Sequence, residues 1–310
     1  MKYIQLKHTD LTISRLIFGC EPLGGTDWGK VDENLLAQSV SKALDLGINC
    51  FDVANVYGLG LAEERLSEIL GSKRHEVVTI SKFGVNWETP RGSSRAKTFL
   101  DCSPERVILS LEGSLRRLRV DCIPIYLIHW PDPKTPIDKT LEVLLRCQKE
   151  GKIQYFGVSN FPLTLLREAN NFKNVGILEL QYNLIDRSPE EELLPYCQIE
   201  KINVFAYGAL AQGLLTGKYD ASTTFEQDDR RHRLPHFQPD AITKNLRILD
   251  KLKTIGDQYE KTVSQVAIRW ILDNPSISAA IVGAKTPYQT EINLGALDWQ
   301  LTDQERAYLN

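Results

Sequence analysis

"INCFDVANVYGLGLAEERLSEILGSKRHEVVTISK", residues 48–82, contains one complete structural unit. An apolar run closes on Asp52, a glycine-punctuated loop carries Tyr57, a helical stretch follows, and a second apolar run closes on Lys82. Strands that are apolar throughout are buried on both faces, and their alternation with helices implies parallel pairing. The same logic extends in both directions. Comparable runs are "RLIFG" (15–19), "INCFD" (48–52), "VVTISK" (77–82), "IPIYLIH" (123–129), "QYFGVS" (154–159), "GILELQ" (176–181), "INVFAY" (202–207) and "AAIVGA" (279–284).

The segments between these runs carry helix signals. After Asp32, the residues Leu36, Val40, Ala43 and Leu44 share one helical face, and Gly47 ends the pattern. Ser103-Pro104-Glu105 reads as an N-cap with proline at the first helical position, opening a helix to about Arg119. "VSQVAIRWILDNP" is helical up to Asn274, where Pro275 forces an end.

Eight strand–helix units in 310 residues predict a closed (β/α)8 TIM barrel, one domain spanning residues 1–310. An open doubly wound sheet is disfavoured, since no GxGxxG follows any strand. The N-terminus, "MKYIQLKHTDLTIS", alternates apolar and polar residues and reads as a β-hairpin, not as a signal peptide. One long loop follows the seventh strand, from Gly217 to about Asp240. It is too long for an ordinary βα connection and reads either as a lid or as a solvated insertion.

Composition narrows the function classes. No segment is apolar for the ~20 residues of a membrane span. A net charge of −3 provides no electrostatic footprint for nucleic acid or a membrane surface. Six cysteines, at 20, 50, 102, 122, 147 and 197, form no CxxC and read as reduced thiols of a cytoplasmic protein. His232 and His236 are four apart but enclose Pro235, which rules out a helical metal pair, and no metal is expected.

The strand ends carry the chemistry. They are Asp52, Lys82, His129, Ser159-Asn160, Gln181 and Tyr207, and in a closed parallel barrel they converge on one mouth. A phenol with pKa about 10 is a poor acid until something stabilises its phenolate. A buried ammonium does so by charge, and a carboxylate keeps that ammonium protonated and fixed. Asp52, Lys82 and Tyr57 form such a relay, with His129 placed to orient a carbonyl oxygen. A general acid without nucleophile, phosphate loop or metal suits carbonyl reduction, with a bound cofactor delivering hydride.

These motifs resemble the aldo-keto reductase superfamily. "FDVANVYGLGLAEERLSEIL" is similar to its first signature, and "SK" (81–82), "YLIHWPD" (126–132), "GKIQYFGVSNF" (151–161) and "LQYNL" (180–184) match later motifs in order. "YGALAQGLLTGKY" (207–219) and "GAKTPYQTEIN" (283–293) resemble its dinucleotide-binding segments. "TFEQDDRRHRLPHFQ" and "RWILDNP" resemble the bacterial branch related to potassium-channel β-subunits.

The resemblance implies roles residue by residue. Tyr57 is the proton donor, Lys82 lowers its pKa, Asp52 pairs with Lys82 and His129 orients the carbonyl. Ser159, Asn160 and Gln181 hold a nicotinamide carboxamide, and Tyr207 stacks on the ring. Gly208, Leu210, Gln212, Gly213 and Lys218 wrap the pyrophosphate, with Gly19, Cys20, Asp52 and Gly283 along the cofactor's path. Lys285 and Thr286 meet an adenosine 2′-phosphate, and Gln289 and Asn293 the adenine end. The implied cofactor is NADPH, with NAD possible, and the implied partner is a small carbonyl compound or alcohol, in a monomer or homo-oligomer. Two departures stand out. Ile292 replaces the acidic residue that usually precedes the asparagine, and "GCEP" stands where relatives often carry threonine and an aromatic. Glu21 is therefore expected either to face the substrate or to form an ion pair, as with a loop arginine, that pins residues 217–240, with Trp28, Trp87 and Trp130 as candidate pocket walls. The expected activity is NADPH-dependent carbonyl reduction. A sugar-pathway dehydrogenase and a non-catalytic NADP(H)-sensing subunit are the rival readings.

Overall fold

Each apolar run of the sequence forms a strand, and the eight close on themselves. The computed structural model describes residues 1–88, 96–171 and 175–310. An N-terminal hairpin pairs β1 (Tyr3–Gln5) with β2 (Thr12–Ser14). The barrel then runs through β3 (Leu16–Gly19), β4 (Cys50–Asp52) and β5 (Val78–Phe83). A small antiparallel ribbon of β6 (Val85–Trp87) and β7 (Thr98–Leu100) follows β5. The barrel continues with β8 (Ile123–Ile128), β9 (Ile153–Ser159), β10 (Ile177–Gln181), β11 (Asn203–Tyr207) and β12 (Ile277–Gly283), which pairs back to β3. All eight pairings are parallel.

The predicted helix signals hold with local adjustments. Asp32 caps the helix Glu33–Asp45 by accepting from the backbone N–H of Asn34 and Leu35, and Gly47 takes the left-handed φ of 87°. Ser103 occupies the N-cap position of the helix Pro104–Leu118, yet its side chain makes no capping bond. Its own N–H is held by Asp101, which fixes the entry instead. The helix Val263–Leu272 stops two residues before the expected Asn274, and Thr262 and Gln265 form a reciprocal capping box at its start.

Two apolar layers position the site. One fills the space between strands and helices. The other fills the barrel itself and includes Ile17, Cys50, Ile80, Leu127, Ile177 and Phe205, with Leu6 and Ile13 of the hairpin joining from the N-terminal end. Successive inward positions on a strand are two residues apart. One step up from Cys50, Ile80, Leu127, Ile177 and Phe205 stand Asp52, Lys82, His129, Glu179 and Tyr207. The polar set is the next layer above an apolar plug.

The loop after β11 is not a solvated insertion. Asp229, Arg231 and Phe237 are buried, and Tyr219, Phe225 and Phe237 pack edge-to-face with centroids 5.0–5.8 Å apart. His232 and His236 lie in two successive 3-10 turns, Arg230–Arg233 and Pro235–Phe237, and the next helix begins at Pro239. Among the described residues, no helix is long and apolar enough to cross a membrane, and no cluster of three or more metal-ligating side chains occurs. All six cysteines are free thiols.

Candidate active site

The Lys82 ammonium is the centre of the site and is fully buried. It donates to a carboxylate oxygen of Asp52, to the Val53 carbonyl at 3.3 Å, and lies 3.3 Å from Oε1 of Glu179. Burial alone would strip its proton. The carboxylates Asp52 and Glu179 outweigh that cost and hold its pKa well above the ordinary lysine range. Its Nζ sits 5.5 Å from the centre of the Tyr57 ring. Burial pushes the Tyr57 phenol well up, while Lys82 pulls the other way. The pull of Lys82 thus has the expected direction, but in the protein alone burial is the larger effect, and the phenol stays protonated.

His129 meets Tyr57 edge-on, with centroids 5.8 Å apart and planes at 84°. Burial, helped by Lys82 and Arg230, drives its pKa well below the usual histidine range. The imidazole is therefore neutral at physiological pH. A neutral imidazole can donate one hydrogen bond without competing for the proton that Tyr57 carries.

A backbone turn sets Tyr57 in place. Gly58, Leu59 and Gly60 all have positive φ, so the chain reverses sharply before the helix Leu61–Leu70. A Cβ on Gly58 would lie 2.2 Å from the carbonyl oxygen of Gly24, so the close approach of these two segments requires glycine there.

The amide-bearing residues form a linked group beside Lys82, Tyr57 and His129. Asn160, with φ of 61°, donates to the His129 carbonyl at 2.9 Å and to Ser159 Oγ at 3.0 Å. The Tyr207 hydroxyl donates to Asn160 Oδ1 at 2.7 Å. Gln181 donates to Asp186 at 3.2 Å. From Tyr207 the chain enters a tight turn in which Gly208, Ala211, Gln212 and Gly213 all have positive φ, with Leu210 between them and Gln212 Oε1 buried without a donor. Lys218 lies over the Tyr219 ring at 4.7 Å. Gly19 and Gly283 face each other in register, and Cys20 donates its N–H to the Asp52 carbonyl at 2.8 Å.

Lys285 precedes the helix Pro287–Leu294, whose N-cap is Thr286. Its backbone N–H is held by Gln289, and its ammonium donates to the Trp28 carbonyl at 2.6 Å. Burial, then the nearby Arg231, lower its pKa to about 8. Asn293 lies one turn beyond Gln289 and is buried. This donor set fits a dinucleotide: amide groups near the acid, a tyrosine ring beside them, a left-handed turn with a buried unmet acceptor, and cations at the far end.

The candidate pocket walls divide. Glu21 forms an ion pair with Arg230 of the loop after β11, and Arg233 of that loop pairs with Asp27 at 2.6 Å. Trp28 has Arg230, Arg231 and Lys285 over its ring at 5.5–5.9 Å. Trp87 is half-buried in the ribbon, and Trp130 is exposed. Two residues were not singled out by number in the sequence. Arg230 had only a general signal, as a loop arginine able to pair with Glu21. Glu179 had one: it stands two before Gln181 on the same strand and therefore faces inward with it.

With this geometry in view, the comparisons decide the family. A sequence profile described as "Aldo/keto reductase family" matches residues 15–310. The chain belongs to the aldo/keto reductase family. It is 35% identical to aldo-keto reductase YhdN of Bacillus subtilis over 313 residues, covering 100% of this chain and 93% of that one. It is 33% identical to an NADH-specific methylglyoxal reductase of Escherichia coli, covering 98% and 96%. The solved structure of glycerol dehydrogenase AKR11B4 from Gluconobacter oxydans superimposes with a TM-score of 0.91 at 36% identity, covering 99% of this chain and 93% of that one. As an aldo/keto reductase the chain is an oxidoreductase acting on carbonyl and alcohol groups with a nicotinamide cofactor.

Proposed function

We propose that this aldo/keto reductase reduces an aldehyde or ketone to an alcohol using NADPH, with Tyr57 as proton donor. The observation that carries the reading is the Tyr57 hydroxyl-bearing ring held between the Lys82 ammonium and the neutral His129 ring. A nicotinamide held there would supply the hydride that the carbonyl carbon needs. Tyr57 gives its proton to the carbonyl oxygen, so C=O becomes CH–OH and the phenolate left behind is stabilised by Lys82. His129 orients that oxygen, and Ser159, Asn160 and Gln181 orient the cofactor's carboxamide.

The preference for NADPH rests on Lys285 and Thr286. One of the relatives is NADH-specific by name, so the preference needs its own test. A charged hydrogen bond to the 2′-phosphate is worth about 1.5–3 kcal/mol, roughly ten- to a hundredfold in kcat/KM. Lys285→Ala should lose that preference without changing the value for NADH. The preference of the intact protein should also fade as pH rises through about 8, where Lys285 gives up its proton. Equal use of the two cofactors, unaltered by the substitution, would show that this segment does not read the phosphate.

A polyhydroxylated substrate is the second reading, in which the polar Glu21–Arg230 pair at the mouth would meet substrate hydroxyls as well as anchor the loop. Glu21→Gln should then lower kcat/KM for a sugar aldehyde several-fold more than for a plain aromatic aldehyde. The same factor for both would leave Glu21 as an anchor of the loop alone.

A further inference from the structure

The buried lysine faces one carboxylate more than the proton relay uses. Glu179 is 3% exposed, its Oε1 lies 3.3 Å from Lys82 Nζ, and no donor of the protein reaches its Oε2. Its carboxyl and that of Asp52 converge on the same ammonium. Two carboxylates cannot hydrogen-bond to each other unless one of them carries a proton. A single cation also cannot neutralise two buried negative charges.

We propose that Glu179 is a positioning residue that shares one proton with Asp52, so that Lys82 faces a carboxylic acid–carboxylate pair with a single negative charge. The inference rests on Tyr57 and Lys82 serving as the proton relay. The shared proton explains the geometry. A protonated Glu179 donates through Oε2 to Asp52, which satisfies the orphaned oxygen, while its Oε1 still accepts from Lys82. The buried cluster is then neutral overall, and the ammonium keeps enough unspent field to stabilise the Tyr57 phenolate. Once the shared proton leaves, the cluster carries a net negative charge and raises the cost of forming that phenolate.

The titration behaves accordingly. Burial and the neighbouring Asp52 push Glu179 up to about 8, with Lys82 opposing. The other titratable groups facing it are Tyr57, Tyr207 and the Cys50 thiol, and burial holds all three well above their usual values. Arg230 and Glu21 stand beyond them at the mouth as an ion pair. His129 is neutral throughout this range. Lys285 also gives up a proton near pH 8, but it lies at the far end of the site and does not face Glu179. Among the groups facing Glu179, loss of a proton between about pH 7 and 9 belongs to the acid pair as a unit.

The test combines infrared spectroscopy with pH–rate profiles on the full chain. In the intact protein, the C=O stretch of a protonated carboxylic acid should be present at neutral pH and vanish through about pH 8. The kcat/KM for aldehyde reduction should fall over the same range. Glu179→Gln keeps the shape and a donor toward Asp52 but has no proton to lose. It should lack the infrared band, and its ratio of kcat/KM at pH about 9 to that at pH about 7 should exceed that of the intact protein by about tenfold. Glu179→Leu should also lack the band, and thermal unfolding checks that each variant is folded. An unchanged alkaline fall in a folded Glu179→Gln, or a drop by the same factor at every pH, overturns the proposal. So does an acid band that survives the substitution. Tyr57→Phe separates the underlying reading: it should keep the infrared band while losing reduction. An active Tyr57→Phe protein sinks the relay itself, whatever the band does.

Discussion

Tyr57→Phe is expected to lower kcat for carbonyl reduction by about 10²–10⁴-fold, the usual worth of a positioned general acid, while NADPH binding stays nearly unchanged. The hydroxyl is the only atom removed. The ring keeps its edge-on packing against His129 and its place over Lys82. Cofactor affinity, followed by fluorescence titration, should therefore hold, and single-turnover hydride transfer should collapse. A variant retaining more than half of the intact turnover would remove Tyr57 from the role of acid. Tyr207, another phenol at the mouth, offers no ready substitute, since its hydroxyl already donates to Asn160.

Lys82→Met is expected to damage both activity and stability. Activity should fall nearly as far as in Tyr57→Phe, and the double variant should be little worse than either alone, because both residues serve one proton transfer. Stability falls because Asp52 and Glu179 remain buried with no cation between them, an arrangement that costs about 3–5 kcal/mol when one partner of a buried pair is deleted. The pH dependence has a definite sign. Without Lys82, burial raises both carboxyls above their unfolded values of roughly 4, so the folded state holds protons that the unfolded state has released. The contribution of these two carboxyls to the variant's stability is then fully present below about pH 4 and is lost as pH rises through their folded values. Its deficit in urea midpoint against the intact protein should be smaller near pH 5 than near pH 8. An equal deficit at both would mean that the loss comes from packing of the methylene stem and not from stranded charge.

The barrel was legible because its signal is local. Each barrel strand lies in a short apolar run, most of these runs end on a polar residue, and several helices are announced by a cap or a proline. Where the reading slipped, tertiary contacts intervened. Ser103 stands at the N-cap as expected, but its side chain makes no cap bond and its N–H is held by Asp101. The segment 217–240 looks solvated because it is charged. Its charges are consumed internally and across the mouth, by Arg231 with Asp229, Arg230 with Glu21 and Arg233 with Asp27, which lets the aromatic residues beneath pack.

By itself the sequence determined the class of fold and placed Asp52, Lys82 and His129 at strand ends that gather at one mouth, because strand parity and strand ends are one-dimensional properties; Tyr57 stands in the loop after Asp52 and was proposed from its motif. Only the closed barrel decided how deep each inward residue sits and which groups meet across it. Glu179 and Asp52 are 127 residues apart on β10 and β4, two strands that share no backbone pairing. They converge on Lys82 because eight strands closed around an apolar plug leave one small polar layer above it. In a layer that small and dry, every added carboxyl must find a cation or keep a proton.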